Sequence, residues 1–138
     1  MAESLFRDKA GDQFEIESAG TGNWHAGQDP DRRTIRTLAA HGIEQYSKAR
    51  QVRREDFEKF DYIIAMDGQN LDDLYAWPSS VREKVSLMMS WVDAPSTLEV
   101  PDPYHGTMDD FELVYELLDE ATTELLEKLQ RNSESNVK

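Results

Sequence analysis

The 138-residue sequence contains no cysteine. That absence excludes a disulfide framework, a thiolate metal site and a cysteine nucleophile within these residues. Basic residues are scarce beside acidic ones, 15 Lys and Arg against 28 Asp and Glu, for a formal charge of −13. A surface this negative does not suit the phosphate backbone of a nucleic acid or an anionic membrane. It reads chiefly as solubility, and it can also select basic partners. No apolar run approaches bilayer-spanning length, and no charged-then-apolar leader precedes the fold. The expectation is a soluble cytoplasmic protein of at most one domain, long enough for one sizeable core. No internal repeat, interdomain linker or low-complexity block interrupts it.

The most constrained stretch is Val100-Pro101-Asp102-Pro103-Tyr104-His105-Gly106. Each proline fixes its own φ and pushes the residue before it toward extended geometry, so Asp102 sits on a stiff loop. A carboxylate held that way can act as a general acid or base, cap a turn through its own oxygens, or ligate a metal. No clustered second and third ligand accompanies it, which leaves catalysis and turn capping.

In chain order, residues 1–7 resemble the middle of an amphipathic helix, with Ala2, Leu5 and Phe6 on one face and no preceding cap. Phe14-Glu15-Ile16-Glu17-Ser18-Ala19 alternates as a strand should and ends in a turn at Gly20. Residues 21–30 form a Gly- and Asn-rich loop whose Trp24 has no periodic apolar neighbours; it is either a lid over the core or the wall of a pocket. Asp31 can cap a helix running to about His41, with Ile35, Leu38 and Ala39 inward and Gly42 as its stop. His41 would gain from the helix dipole if protonated, although a hydrogen-bonded structural histidine accounts for it as well. A shorter helix spans 53–60. The unbroken apolar run Tyr62-Ile63-Ile64-Ala65-Met66 suggests a strand covered on both faces, as in a parallel sheet.

Residues 70–75 continue as helix until Trp77-Pro78. Val85-Ser86-Leu87-Met88-Met89 reads as a third strand, with the two methionines as core filler rather than part of a cofactor box. A long helix follows over 109–129, its acidic first turn suited to the helix dipole. Residues 132–138 read as a disordered polar tail. Strands alternating with helices give an α/β, doubly wound domain with a parallel sheet over 1–131.

Four blocks in one order then carry a resemblance. Residues 1–7 (MAESLFR), Ser18-Ala19-Gly20-Thr21 with Trp24-His25, Asp61 to Asp67 with Asn70-Leu71, and Asp102-Pro103-Tyr104-His105-Gly106 with Asp110-Phe111 resemble the low-molecular-weight protein tyrosine phosphatase family. The likeness extends from residue 1 to about residue 130. It implies that Asp102 is the general acid that protonates the leaving phenolate and then serves as base for hydrolysis of a phospho-enzyme. It implies that Trp24 and Tyr104 wall the cleft that takes the substrate ring, that the substrate is a phosphotyrosine protein or small aryl phosphate, and that no cofactor is used.

The family's chemistry also needs a Cys, five residues, then Arg and Ser or Thr, forming a phosphate-cradling loop between the first strand and first helix. Nothing in this sequence supplies that loop, and Met1-Ala2-Glu3 matches positions just after it. Ser18, Thr21 and His25 are the candidate substitutes, and none has the spaced Arg or the phosphate donors of a cradle. The resemblance therefore implies a three-layer domain without its central first strand, leaving a slot of roughly 10 Å between the strands at 14–19 and 61–66. Such a domain is expected to be weakly stable, with strands that re-pair or keep open edges. Two functional readings follow, a phosphatase without its nucleophile loop and a non-catalytic pseudophosphatase that binds a phosphoprotein or a basic partner. An arsenate reductase on the related fold also needs the absent cysteine and suits the aromatic walls less well.

Overall fold

The computed structural model describes residues 1–20, 27–77, 82–104 and 106–136, with side chains to 132. Their elements are α1 (Ala2–Ala10), α2 (Arg32–Ala40), α3 (Arg54–Lys59), β1 (Ile63–Ala65), α4 (Gly68–Tyr75), β2 (Val85–Leu87) and α5 (Met108–Asn136). Short 3-10 turns at Arg82–Lys84 and Met88–Trp91 flank β2. The chain divides into two compact units that are discontinuous in sequence. One comprises Met1–Glu17, Pro30–Ser47 and Asp102–Lys138, the other Ser18–Asp29 and Lys48–Pro101.

In the first unit α1 and α2 pack on α5. Phe111, Val114, Leu118, Ala121, Leu125 and Leu129 of α5 are all buried, a three-and-four spacing that keeps one stripe of the helix inward. Leu5 and Phe6 bury the matching face of α1. Met1 is the N-cap of α1 with no side-chain hydrogen bond, as a helix entered without a capping residue requires. At the other end of α1 the Lys9 ammonium donates to the Asp119 carbonyl at 3.1 Å, the Asp119 carboxylate at 2.6 Å and the Thr122 hydroxyl at 2.9 Å. The buried Thr122 hydroxyl donates onward to the Leu118 carbonyl at 2.6 Å, so this polar group inside the packing is satisfied.

Asp31 caps α2 by accepting the Arg33 backbone N–H at 2.8 Å, and Gly42, at φ +82°, supplies the left-handed stop after it. The inward face of α2 differs from expectation at one position: Thr37 is buried beside Leu38, while Ala39 is exposed. Thr37 can be buried because its hydroxyl donates to the Arg33 carbonyl at 2.8 Å. His41 is the C-cap; it pairs with Glu112 and stacks on Tyr115 at 3.7 Å between ring centroids. That makes it a partnered structural histidine. Helix α5 runs through Asn136, into the stretch that composition assigns to a polar tail. Side-chain bonds from Gln130 to Gln13 at 3.0 Å and from Arg131 to the Glu127 carbonyl at 3.4 Å accompany its last turns.

In the second unit β1 and β2 pair in parallel, with Ile63 opposite Val85, Ile64 opposite Ser86 and Ala65 opposite Leu87. Helix α4 packs on both strands, and Asp67 caps it by accepting the Asn70 N–H at 2.8 Å. Phe57, Val52, Ala65, Leu74 and Val85 form the buried cluster, with Trp77 tilted against Phe57 at 5.8 Å. The strand expected over 85–89 stops at Leu87. Met88–Trp91 curl instead into a 3-10 turn that buries Met88 and Met89 and lets the Ser90 hydroxyl reach the Leu87 carbonyl at 2.6 Å.

The strand expected over 14–19 does not form. Phe14 folds back toward Phe6, ring centroids 6.0 Å apart, and the Arg7 guanidinium takes the Ile16 carbonyl at 2.5 Å. Phe14 and Ile16 are half-buried while Glu15 and Glu17 are exposed, so the alternation sets the faces of this segment without a ladder beside it. Among the described residues, Gly20 makes a parallel bridge to Gln51, where Gly20 N–H meets the Arg50 carbonyl and Val52 N–H meets the Gly20 carbonyl, both at 2.8 Å.

Candidate active-site loop

The loop that carries Asp102 is built in the first unit between Asp102 and the start of α5. Pro103 prevents helix at Asp102. The exposed Asp102 carboxylate turns back, and its Oδ1 accepts the Tyr104 backbone N–H at 3.0 Å, the Asx-turn that a carboxylate two residues upstream can close. Among the described residues its second oxygen, Oδ2, has no hydrogen-bond partner. The chain then turns through a bond from Gly106 N–H to the Pro103 carbonyl at 2.8 Å. Helix α5 opens with Thr107 N–H held by the Asp110 carboxylate at 2.8 Å, half of a capping box. Tyr104 is 57% exposed, a large aromatic on a loop with most of its surface in water.

Arg33, on the first turn of α2, fastens this loop. Its Nη2 donates to the Tyr104 carbonyl at 2.7 Å and its Nη1 to the Gly106 carbonyl at 2.9 Å. The same guanidinium meets Asp31 along one edge with two bonds, Nε to Oδ1 at 3.1 Å and Nη2 to Oδ2 at 2.9 Å. It lies over the Phe111 ring at 4.5 Å from the centroid and beside the Tyr104 ring at 6.0 Å. The side-chain and backbone hydrogen bonds from Arg33 hold the Asp31 carboxyl below the usual carboxylate range, and the bond to Asp31 raises the Arg33 guanidinium further. Asp31 is visible in the sequence as a cap; the role of Arg33 is not.

Of the residues singled out from the sequence, Asp102 and Tyr104 come together here through the backbone bond just described. Trp24, Thr21 and His25 lie outside the described residues. Ser18 is exposed and lies in the segment before the Gly20 bridge. Among the described residues no group of three or more His, Cys, Asp or Glu is arranged to hold a metal ion, and no helix is long and apolar enough to cross a membrane.

A parallel α/β sheet with a Pro-bracketed acidic loop leading into its last helix defines a class, and comparison identifies it. The chain belongs to the low molecular weight phosphotyrosine protein phosphatase family, whose sequence model matches residues 1–135. It is 38% identical to the low molecular weight phosphotyrosine protein phosphatase of Sus scrofa, over 94% of this chain and 87% of that protein. Identity to the Mus musculus protein of the same name is 39%, over 84% of this chain and 78% of the relative. Among solved structures, a protein tyrosine phosphatase from Entamoeba histolytica with Hepes in its active site superposes with a TM-score of 0.88 at 31% identity, covering 96% of this chain and 88% of that one.

Proposed function

We propose that residues 1–131 are one phosphatase-like domain built for hydrolysis of phosphotyrosine monoesters, with Asp102 as general acid and Trp24 and Tyr104 as walls around the substrate ring. The observation that carries this reading is the Asp102 carboxylate, anchored through Oδ1 on the Tyr104 N–H at 3.0 Å while Oδ2 has no other partner among the described residues. A protonated Oδ2 can give its proton to a phenolate leaving group while Oδ1 stays in place. As the phosphorus–oxygen bond breaks, the negative charge on the phenolate is neutralised by that proton, and the resulting carboxylate can then take a proton from water. Turn capping and acid catalysis are thus compatible, one on each oxygen.

The covalent half of the reaction has no residue in this sequence, which holds no cysteine. Ser18, Thr21 and His25 lack a cradle for the transferred phosphoryl group, and without one the transition-state charge is left unsupported. These 138 residues therefore do not turn over aryl phosphates on their own. In this reading the doubly wound, three-layer sheet of the family is short of its central strand, which accounts for the absence of a ladder beside residues 14–19.

The test is para-nitrophenyl phosphate hydrolysis by the 138-residue chain beside one extended at its N-terminus by a Cys-x5-Arg loop. The first is expected at background and the second active. In the extended chain Asp102→Asn should lower turnover by about two to four orders of magnitude, the usual weight of one positioned acid. An enzyme-like rate from the 138-residue chain with Asp102 dispensable overturns the assignment. The absence of cysteine also favours a second reading, a non-catalytic module that binds a phosphoprotein or a basic partner. Calorimetry with a phosphotyrosine peptide and its unphosphorylated twin separates the two partners, since a phospho-dependent signal requires the cleft and a phospho-independent one with a basic peptide requires only the −13 surface.

A further inference from the structure

We propose that Arg33 is a positioning residue for the acid loop, a clamp locked by Asp31 that fixes the Tyr104 peptides and through them the Asp102 carboxylate. The inference rests on the reading of Asp102 as the general acid. A guanidinium has five N–H donors in a rigid fork. Four separate bonds engage them here, two to Asp31 and one each to the Tyr104 and Gly106 carbonyls. A single planar group thus holds both the Tyr104 and the Gly106 carbonyls. Tyr104 is also the residue whose N–H holds Asp102 Oδ1. The Tyr104 N–H and carbonyl belong to successive peptides, so the clamp reaches the carboxylate through the turn: Arg33 holds the Gly106 carbonyl, and Gly106 N–H meets the carbonyl of Pro103 at 2.8 Å, in the same peptide that carries the Tyr104 N–H.

The face of the guanidinium is occupied as well. It covers the Phe111 ring, a buried residue on the first turns of α5, so the clamp is seated on the core instead of reaching through water. Asp31 in turn accepts the Arg33 backbone N–H, which ties the rotamer to the cap of α2. An arginine with this many commitments is not poised to hold a phosphate. Lysine cannot replace it, because a point charge on a flexible stem cannot span two carbonyls and two carboxylate oxygens in one plane.

The experiment uses the 138-residue chain and reads the Tyr104 amide by two-dimensional NMR. In the wild type the Tyr104 amide proton shift should follow protonation of the Asp102 carboxylate, and Asp102→Asn should abolish that pH response. In Arg33→Lys the pH response of the Tyr104 amide should collapse to less than about half. Exchange of the Tyr104 and Gly106 amides should quicken about tenfold or more, while amides in β1 and β2 keep their rates. Asp31→Asn keeps the cap acceptor but replaces Oδ2 with a donor facing Nη2; it should shift both readouts the same way by a smaller amount, and it carries the test if Arg33→Lys does not fold. A Tyr104 amide that keeps its full pH response in the folded variants overturns the proposal. So does displacement of the wild-type Arg33 Nε–H resonance by millimolar inorganic phosphate, which would make Arg33 a ligand. Neither readout involves turnover, so failure of the acid assignment in the hydrolysis assay is distinguishable from failure of the clamp.

Discussion

At the scale of single residues, carboxylates paired with arginine organise both units, and their protonation can be followed. Asp56 is buried, and burial alone would push its carboxyl up. The Arg50 guanidinium, at 2.9 and 3.1 Å, and the Arg53 backbone N–H, at 2.8 Å, outweigh burial and hold it below the ordinary range. Asp31 is lowered by Arg33 in the same sense. A carboxyl whose folded value is depressed stabilises the fold above its unfolded value, near about 4, and that stabilisation is lost as pH falls through the folded value. Urea unfolding at pH 6 and pH 3 should therefore show a smaller pH-dependent loss for Asp56→Asn than for wild type. At neutral pH the variant should be less stable by roughly 1–3 kcal/mol, the usual cost of a charge-assisted bond lost inside a protein. Identical pH dependence in the two proteins would show that Asp56 is not a source of acid sensitivity.

The same scale shows what a sequence discloses of a site. Asp102 announces itself because two prolines bracket it, and local stiffness is a property of neighbours in the chain. Arg33 gives no such sign. Its targets, the carbonyls at 104 and 106, are 71 and 73 positions away, and a carbonyl is the same whichever residue bears it. An arginine on the first turn of a helix otherwise reads as a solvated charge.

At the scale of elements, caps and stops were legible and strand partners were not. Asp31 and Asp67 cap α2 and α4 through bonds to backbone N–H groups two and three residues ahead, information wholly contained in a short window. The alternation at 14–17 correctly sorts Phe14 and Ile16 from Glu15 and Glu17, yet no strand follows, because a ladder needs a neighbour that local pattern cannot supply. Likewise the apolar run 85–89 does not disclose that Met88 and Met89 leave the strand for a 3-10 turn.

The entrance to α5 makes a sharper prediction. A Cβ on Gly106 would lie 2.3 Å from Asp110 Oδ2 and 2.9 Å from Asp110 Cβ, so the cap on Thr107 N–H and the new methyl cannot share that space. Gly106→Ala should destabilise the chain by about 1 kcal/mol, the typical cost of a lost helix cap, with the loss visible in the denaturation midpoint. Combining it with Asp110→Ala, which removes the oxygen in the way, should add less than the sum of the two single changes. Full additivity would show that the clash is relieved by other means.

At the scale of the whole molecule, the family is clear from order and spacing alone, since blocks at both ends of the chain fall in one sequence. The division into two units assembled from five segments was not legible, because it depends on which distant segments touch. In our reading the sheet lacks its middle, and the described β1–β2 pair is only three residues deep on each strand. Thermal scans of the 138-residue chain with light scattering should give a broad, aggregating transition. A cooperative, reversible one on monomer, in the range of about 45–65 °C common to mesophilic domains, would count against the missing strand.

The Lys9 contact with Asp119 spans 110 positions of sequence. On the ribosome, α1 therefore emerges long before the helix that covers it. Leu5 and Phe6 leave the ribosome before the buried stripe of α5 that packs on their helix, so until α5 is made only nearer segments such as Phe14 can cover them.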